Sequence, residues 1–189
     1  MKIKVIAALF VLISASTAGA VVDIAVGGYG GMDIPVANDE AKSGTLFGVH
    51  ARASVLSFLA VGGYFRSSSF GDPEQTFFEG LPDEFTSSID GGGVKSFGAE
   101  AYVGKVGGTP GVNVFFYGSV GSYKWTRDNR DDISKVAWSV GPGLEIVFPF
   151  GLGVEGRGLF QIAPTDNSGS LKSVVWFVGA NYHFGLPLK

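Results

Sequence analysis

The sequence predicts an all-β chain: an eight-stranded antiparallel up-and-down transmembrane β-barrel. Three observations predict it. Of 189 residues, 46% are apolar, 13% aromatic and only 16% charged, with 30 glycines; glycine is about twice its usual share and charge is well below the usual quarter. Beyond the first twenty residues no stretch reaches the roughly 18 consecutive apolar residues of a membrane helix. Period-two alternation of apolar with small or polar residues nevertheless recurs in eight segments, which is a strand signature.

The first twenty residues precede the fold. Lys2 and Lys4 give a basic start, Val5 to Ile13 is an apolar run, and Ala18-Gly19-Ala20 is a small-residue cleavage site ahead of Val21. This reads as a secretory signal peptide, because the run is too short for the roughly 20 residues that cross a bilayer. Residues 21–189 are then one barrel domain. Loss of Lys2 and Lys4 takes the formal charge from -3 to -5, without the basic footprint of a nucleic-acid binder. The absence of cysteine excludes disulfides, thiolate metal sites, a cysteine nucleophile and a lipid-anchored N-terminal cysteine.

The eight predicted strands run in order from Val21 to Gly31, Thr45 to Val55, Phe58 to Ser68, Ser96 to Lys105, Val112 to Trp125, Ser134 to Phe148, Leu152 to Ile162 and Ser173 to Phe184. In the second, Phe47, Val49, Ala51, Ala53 and Val55 oppose Gly48, His50, Arg52 and Ser54. The fifth is ambiguous: Val114, Phe116 and Val120 share one register and Phe115, Tyr117 and Tyr123 the other, with Val114 and Phe116 favoured outward. The sixth is clearest, with Val136, Trp138, Val140, Pro142, Leu144, Ile146 and Phe148 on one face and Lys135, Ala137, Ser139, Gly141, Gly143 and Glu145 on the other. Pro142 removes a ladder donor and predicts a bulge or local break. In the seventh, Val154, Phe160 and Ile162 oppose Glu155, Arg157 and Gln161. In the eighth, Val174, Trp176, Val178, Ala180, Tyr182 and Phe184 oppose Gly179, Asn181 and His183.

The small and charged face suits a narrow lumen, and the large apolar face suits lipid. Connections alternate between long and short, as in membrane barrels. The long ones are Met32 to Gly44, Ser69 to Lys95, Thr126 to Ile133 and Ala163 to Lys172. Of 17 acidic residues, all but Asp23, Glu100, Glu145 and Glu155 fall in those four. Phe47, Phe65, Phe97, Trp138, Phe160 and Trp176 lie towards one end of the outward face, and Phe148, Tyr182 and Phe184 towards the other, which predicts two aromatic girdles.

With these features the chain resembles the small eight-stranded outer-membrane barrels, typified by the OmpA transmembrane domain and OmpX. The resemblance is carried by the leader, by Val26-Gly27-Gly28-Tyr29-Gly30-Gly31, by the Gly-aromatic strands and by the last strand, Val174 to Phe184. It implies residence in the outer membrane of a Gram-negative-type envelope, as a monomer, in contact with lipid bilayer and lipopolysaccharide. It also implies an assembly machinery that reads a terminal aromatic residue; Phe184 is the match, followed here by Gly185 to Lys189. One enzyme of this architecture, a lipid A deacylase, pairs a histidine with a serine two residues on. Neither His50-Ala51-Arg52 nor His183-Phe184-Gly185 has that spacing, so no enzyme is expected.

The inward set is His50, Arg52, Arg66, Glu100, Glu145, Glu155, Arg157 and His183. Pairing the sixth and seventh strands sets Glu145 opposite Glu155, with Arg157 on the diagonal. Two adjacent carboxylates can serve acid/base chemistry, but a salt-bridge network in a filled lumen is favoured, because an unpaired buried charge is costly. Gly141-Pro142-Gly143 lacks the lysine and helix start of a phosphate loop, and no cofactor is expected. The second long loop mixes Asp72, Glu74, Glu79, Asp83, Glu84 and Asp90 with Phe70, Phe77, Phe78 and Phe85; it is a plain surface loop, a divalent-cation site or a contact for a surface partner. The expected function is therefore non-enzymatic, in envelope structure or surface interaction. The alternative is a secreted lipocalin-like barrel binding an apolar ligand.

Overall fold

A computed structural model describes residues 23–36, 42–72, 74–77, 85–88, 91–127, 131–164 and 169–185. The cleavage-site residues Ala18, Ala20 and Val21 lie outside these. Eight strands close into one barrel: β1 (Asp23–Pro35), β2 (Lys42–Leu56), β3 (Leu59–Gly71), β6 (Gly93–Gly104), β7 (Gly111–Thr126), β8 (Ile133–Val147), β9 (Leu152–Pro164) and β10 (Ser170–His183). Each pairs antiparallel with its neighbour in the chain, and β1 closes the ring on β10. Between β3 and β6 a separate hairpin joins β4 (Glu74–Phe77) to β5 (Phe85–Ser88). The short turns lie at the end of the barrel that carries the chain termini; the long connections lie at the other, the loop end.

The barrel strands are 12 to 16 residues long, more than the roughly 9–11 that cross a bilayer. Their ends reach into segments expected to be loop. As a result Asp33, expected in the first long loop, is fully buried inside the wall of β1, and Phe70, expected in the second, turns inward at 6% exposure. In both cases the inward alternation simply continues past the membrane-spanning part.

Along β7, Val114 and Phe116 face outward while Phe115, Tyr117 and Tyr123 face inward. Pro142 stands opposite Phe116 in an unbroken β7–β8 ladder, but the β8–β9 ladder lapses between Val140 and Gly143. The register is the same on both sides of the gap, so the expected break is present without a bulge.

Glycine makes this narrow barrel possible. A Cβ on Gly48 would lie 2.5 Å from the Tyr29 ring, and one on Gly143 would strike the Phe115 ring. Each inward aromatic thus lies over a neighbouring strand that has no side chain at that point. Gly151, at φ 85°, ends the Phe148-Pro149-Phe150-Gly151 turn; its N–H donates to Phe148 O at 3.0 Å and its carbonyl accepts from His183 N at 2.8 Å.

Candidate functional site in the lumen

Alternation sends one face of every strand into the lumen, and the charged residues there bond across it. In ring order β2 and β8 are diametrically opposite. Arg52 on β2 reaches Glu145 on β8 at 2.5 Å, and its other nitrogen lies 3.3 Å from Glu155 on β9. Glu145 and Glu155 are direct cross-strand partners, so one guanidinium bridges two carboxylates that would otherwise repel. Arg157 pairs with Glu155 at 2.7 Å and lies 4.8 Å from the ring centres of both Tyr102 and Tyr117. A cation over aromatic faces gains further attraction where water is excluded.

The histidines extend the network to both sides. His50 lies 3.0 Å from Glu100, 3.0 Å from Tyr102 Oη and 2.7 Å from Asn181 Oδ1. His183 joins Asp23 at 2.7 Å to Glu145 at 3.0 Å near the terminal end. Arg66 stands apart from this cluster: on β3, it donates to Gln161 of the opposing β9 at 2.8 Å. Seven of the eight expected lumen residues therefore form one connected group, and the eighth sits a layer nearer the loops.

Several members were not singled out from the sequence. Asn113 donates to Glu145 and to Gly107 O, and Asn181 donates to Glu145 at 2.8 Å. Tyr102 donates to Glu100 at 2.5 Å. Asn181 lies on the inward face already assigned to His183, though outside the expected charged set, and Tyr102 has the parity of Glu100, so alternation alone could have found it too. The turn over residues 105–110 left no such signal. It folds across the terminal end, with Val106 buried at 7% exposure and Gly108 against Asp23 and His183. At the loop end an apolar cluster of Phe70, Val94, Tyr123, Trp125, Ile133, Ala137, Ala163 and Leu171 fills the interior. Trp125 donates to Gly91 O at 3.0 Å, and Arg127 lies 4.1 Å over its ring.

Outside, the surface is apolar. Phe47, Val49, Val114, Phe116, Val136 and Val178 are all more than half exposed. Trp138, Trp176, Phe65, Phe97 and Phe160 point outward towards the loop end. Phe148, Tyr182 and Phe184 do so at the terminal end, joined there by Phe58 and Phe150. The Phe184 N–H donates to Ile24 O at 2.7 Å, which ties the last aromatic to β1. Charges wired inside and hydrocarbon side chains outside invert a soluble protein. This is a membrane barrel.

Solved structures share its architecture. Neisserial surface protein A (NspA) superposes with a TM-score of 0.60 at 10% identity, covering 86% of this chain and 97% of that one. The N-terminal β-barrel domain of Pseudomonas aeruginosa OprF does so with a TM-score of 0.53 at 9% identity, over 86% and 97%. Neither a protein-family model nor a curated protein sequence matches the chain. The shared fold is that of the small eight-stranded outer-membrane barrels.

Chemically, the lumen is a brace. The side chains of Glu145, Glu155, Arg52 and Arg157 have no exposed surface. Both carboxylates are bonded to groups on other strands. Among the described residues no cluster of three potential metal ligands occurs. In the second long loop only Asp72 has a described side chain among the acids; its Oδ1 accepts from Gly91 N at 3.1 Å, across the neck of the loop. The remaining acids and aromatics expected there, beyond Phe70, lie outside the described side chains.

Proposed function

We propose that the chain is exported by the leader cleaved after Ala20 and serves, as a monomer in the outer membrane of a Gram-negative-type envelope, as a non-enzymatic barrel. Its role is envelope structure or surface interaction through the long acidic loops, and it is not a diffusion pore. The observation that carries this reading is the Arg52–Glu145–Glu155 bridge across the lumen, with a cluster of buried apolar side chains beyond it at the loop end. A lipocalin-like carrier needs an empty apolar interior, whereas this interior holds three arginines and their partners. Lipid and lipopolysaccharide are the partners of the outward face, and Phe184 is the residue offered to the assembly machinery. Planar-bilayer recording of the purified barrel tests the sealed-lumen function: the expected result is no steady conductance above baseline, and large steady openings would overturn it.

A further inference from the structure

His183 is the last residue of β10, at the terminal end of the lumen, and both of its ring nitrogens meet carboxylates. Nδ1 lies 2.7 Å from Oδ2 of Asp23 on β1, and Nε2 lies 3.0 Å from Oε1 of Glu145 on β8. Each contact is a hydrogen bond only if a proton lies in it. Glu145 supplies none, because its oxygens also accept from Arg52, Asn113 and Asn181, a set of donors that suits the ionised carboxylate. Imidazole is more basic than a carboxylate, so the proton towards Asp23 also resides on the ring. The arrangement therefore needs a proton on both nitrogens.

Charge balance agrees. The buried lumen residues include five carboxylates, Asp23, Asp33, Glu100, Glu145 and Glu155, against the arginines Arg52, Arg66 and Arg157. The excess of two negative charges is matched in number by His50 and His183, and uncompensated buried charge is costly. Around His183, β2 contributes Arg52, bonded to Glu145, and Ser54, the cross-strand partner of Asp23. From β9 come Gly153, against Nε2, and Glu155, bonded to Arg52. The ammonium of Lys105, in the turn over residues 105–110, lies beside Gly111.

The two carboxylates that hold His183 also seat that turn. A Cβ on Gly108 would lie 2.6 Å from Asp23 Oδ1 and 3.1 Å from His183 Cβ. Asn113 donates to Gly107 O at 2.9 Å and to Glu145 at 3.3 Å. A neutral ring keeps one proton, so its bare nitrogen would face one carboxylate lone pair to lone pair. Whichever carboxylate that is, one side of the seat is pushed apart.

We infer that His183 is a proton-operated latch: as an imidazolium it draws Asp23 and Glu145 together and holds the 105–110 turn across the terminal end of the lumen, and loss of one ring proton releases the turn.

The test uses the whole barrel in detergent micelles. Ring nitrogen NMR at about pH 7.5, where a free histidine with its ordinary value near about 6.5 is mostly neutral, is expected to show the matched nitrogen pair of an imidazolium at His183. H183Q identifies those signals by their loss, and its neutral amide can donate to only one of the two carboxylates. Hydrogen exchange of residues 105–113 is expected to be about tenfold faster in H183Q than in the wild type at the same pH, the scale of one charge-assisted hydrogen bond. Exchange of residues 114–126 is expected to be unchanged. Raising the pH of the wild type until the imidazolium signal disappears is expected to bring residues 105–113 to the H183Q rate, after correction for intrinsic exchange. The unequal nitrogen pair of a neutral ring at about pH 7.5 would overturn the inference on the wild type alone, even if H183Q fails to fold. So would a turn whose exchange is indifferent to H183Q or to loss of the ring proton, or an equal acceleration over residues 114–126.

Discussion

Arg52 on β2 and Glu145 on β8 meet at 2.5 Å across the full width of the barrel, joining strands that are four apart in a ring of eight. No ladder hydrogen bond connects those walls. The contact acts as a strut against flattening, and the same guanidinium neutralises the Glu145–Glu155 cross-strand pair.

Arg52→Met leaves two facing buried carboxylates with less compensation. Removing one partner of a buried ion pair costs about 3 to 5 kcal/mol. Guanidinium unfolding in lipid vesicles is expected to register a loss of that size, and Arg52→Met with Glu145→Gln and Glu155→Gln to recover much of it. A loss under 1 kcal/mol for the single variant would remove the strut from the account.

Gly143 and Gly156 make a matched pair. A Cβ on Gly143 would strike the Phe115 ring, whereas one on Gly156 would meet nothing within 4 Å. Gly143→Ala is expected to cost about 1 to 3 kcal/mol by overpacking. Gly156→Ala is expected to be neutral or to stabilise by up to about 1 kcal/mol through the unfolded chain. Equal effects in thermal unfolding would contradict the role given to lumen glycines.

Alternation made much of this lumen legible. Glu145, Glu155 and Arg157 share inward parity, and the turn before Leu152 fixes their mutual register. What stayed hidden has physical causes. Asp33 looks like a loop residue because it is an acid two residues before Pro35, and Phe70 because serines, glycine and acid flank it, yet pairing of β1 with β10 and β2, and of β3 with β2 and β6, carries the strands past the bilayer. Along Val114 to Tyr117 both faces are apolar, since the inward rings of Phe115 and Tyr117 are part of the filled lumen, so parity alone could not orient the strand. The 105–110 turn enters the lumen through tertiary contacts with Asp23, His183 and Asn113, which have no local sequence pattern.

Val140 lies at the middle of β8, outward and 46% exposed. Arginine there would face the hydrocarbon. Val140→Arg is expected to lose about 2 to 4 kcal/mol of folding stability in vesicles. A neutral result would place that face in water.

Export predicts a defined mature terminus. Protein isolated from the envelope is expected to begin at Val21 by intact mass, and Ala18→Lys is expected to leave the leader attached, because the processing site requires small residues. A mature mass that retains residues 1–20 in the unaltered chain would contradict the leader assignment.

With the apolar face in lipid and the charged face enclosed, tryptophans on the two faces have opposite surroundings. The chain has three tryptophans: Trp138 and Trp176 point outward at 46% and 44% exposure, and Trp125 is enclosed at 1%. Fluorescence of single-tryptophan variants in vesicles of acyl-brominated lipid tests this placement most directly. Strong quenching of Trp138 and Trp176, with Trp125 protected from both bromine and aqueous iodide, is the predicted result; iodide quenching of Trp138 and Trp176 without bromine quenching would contradict it.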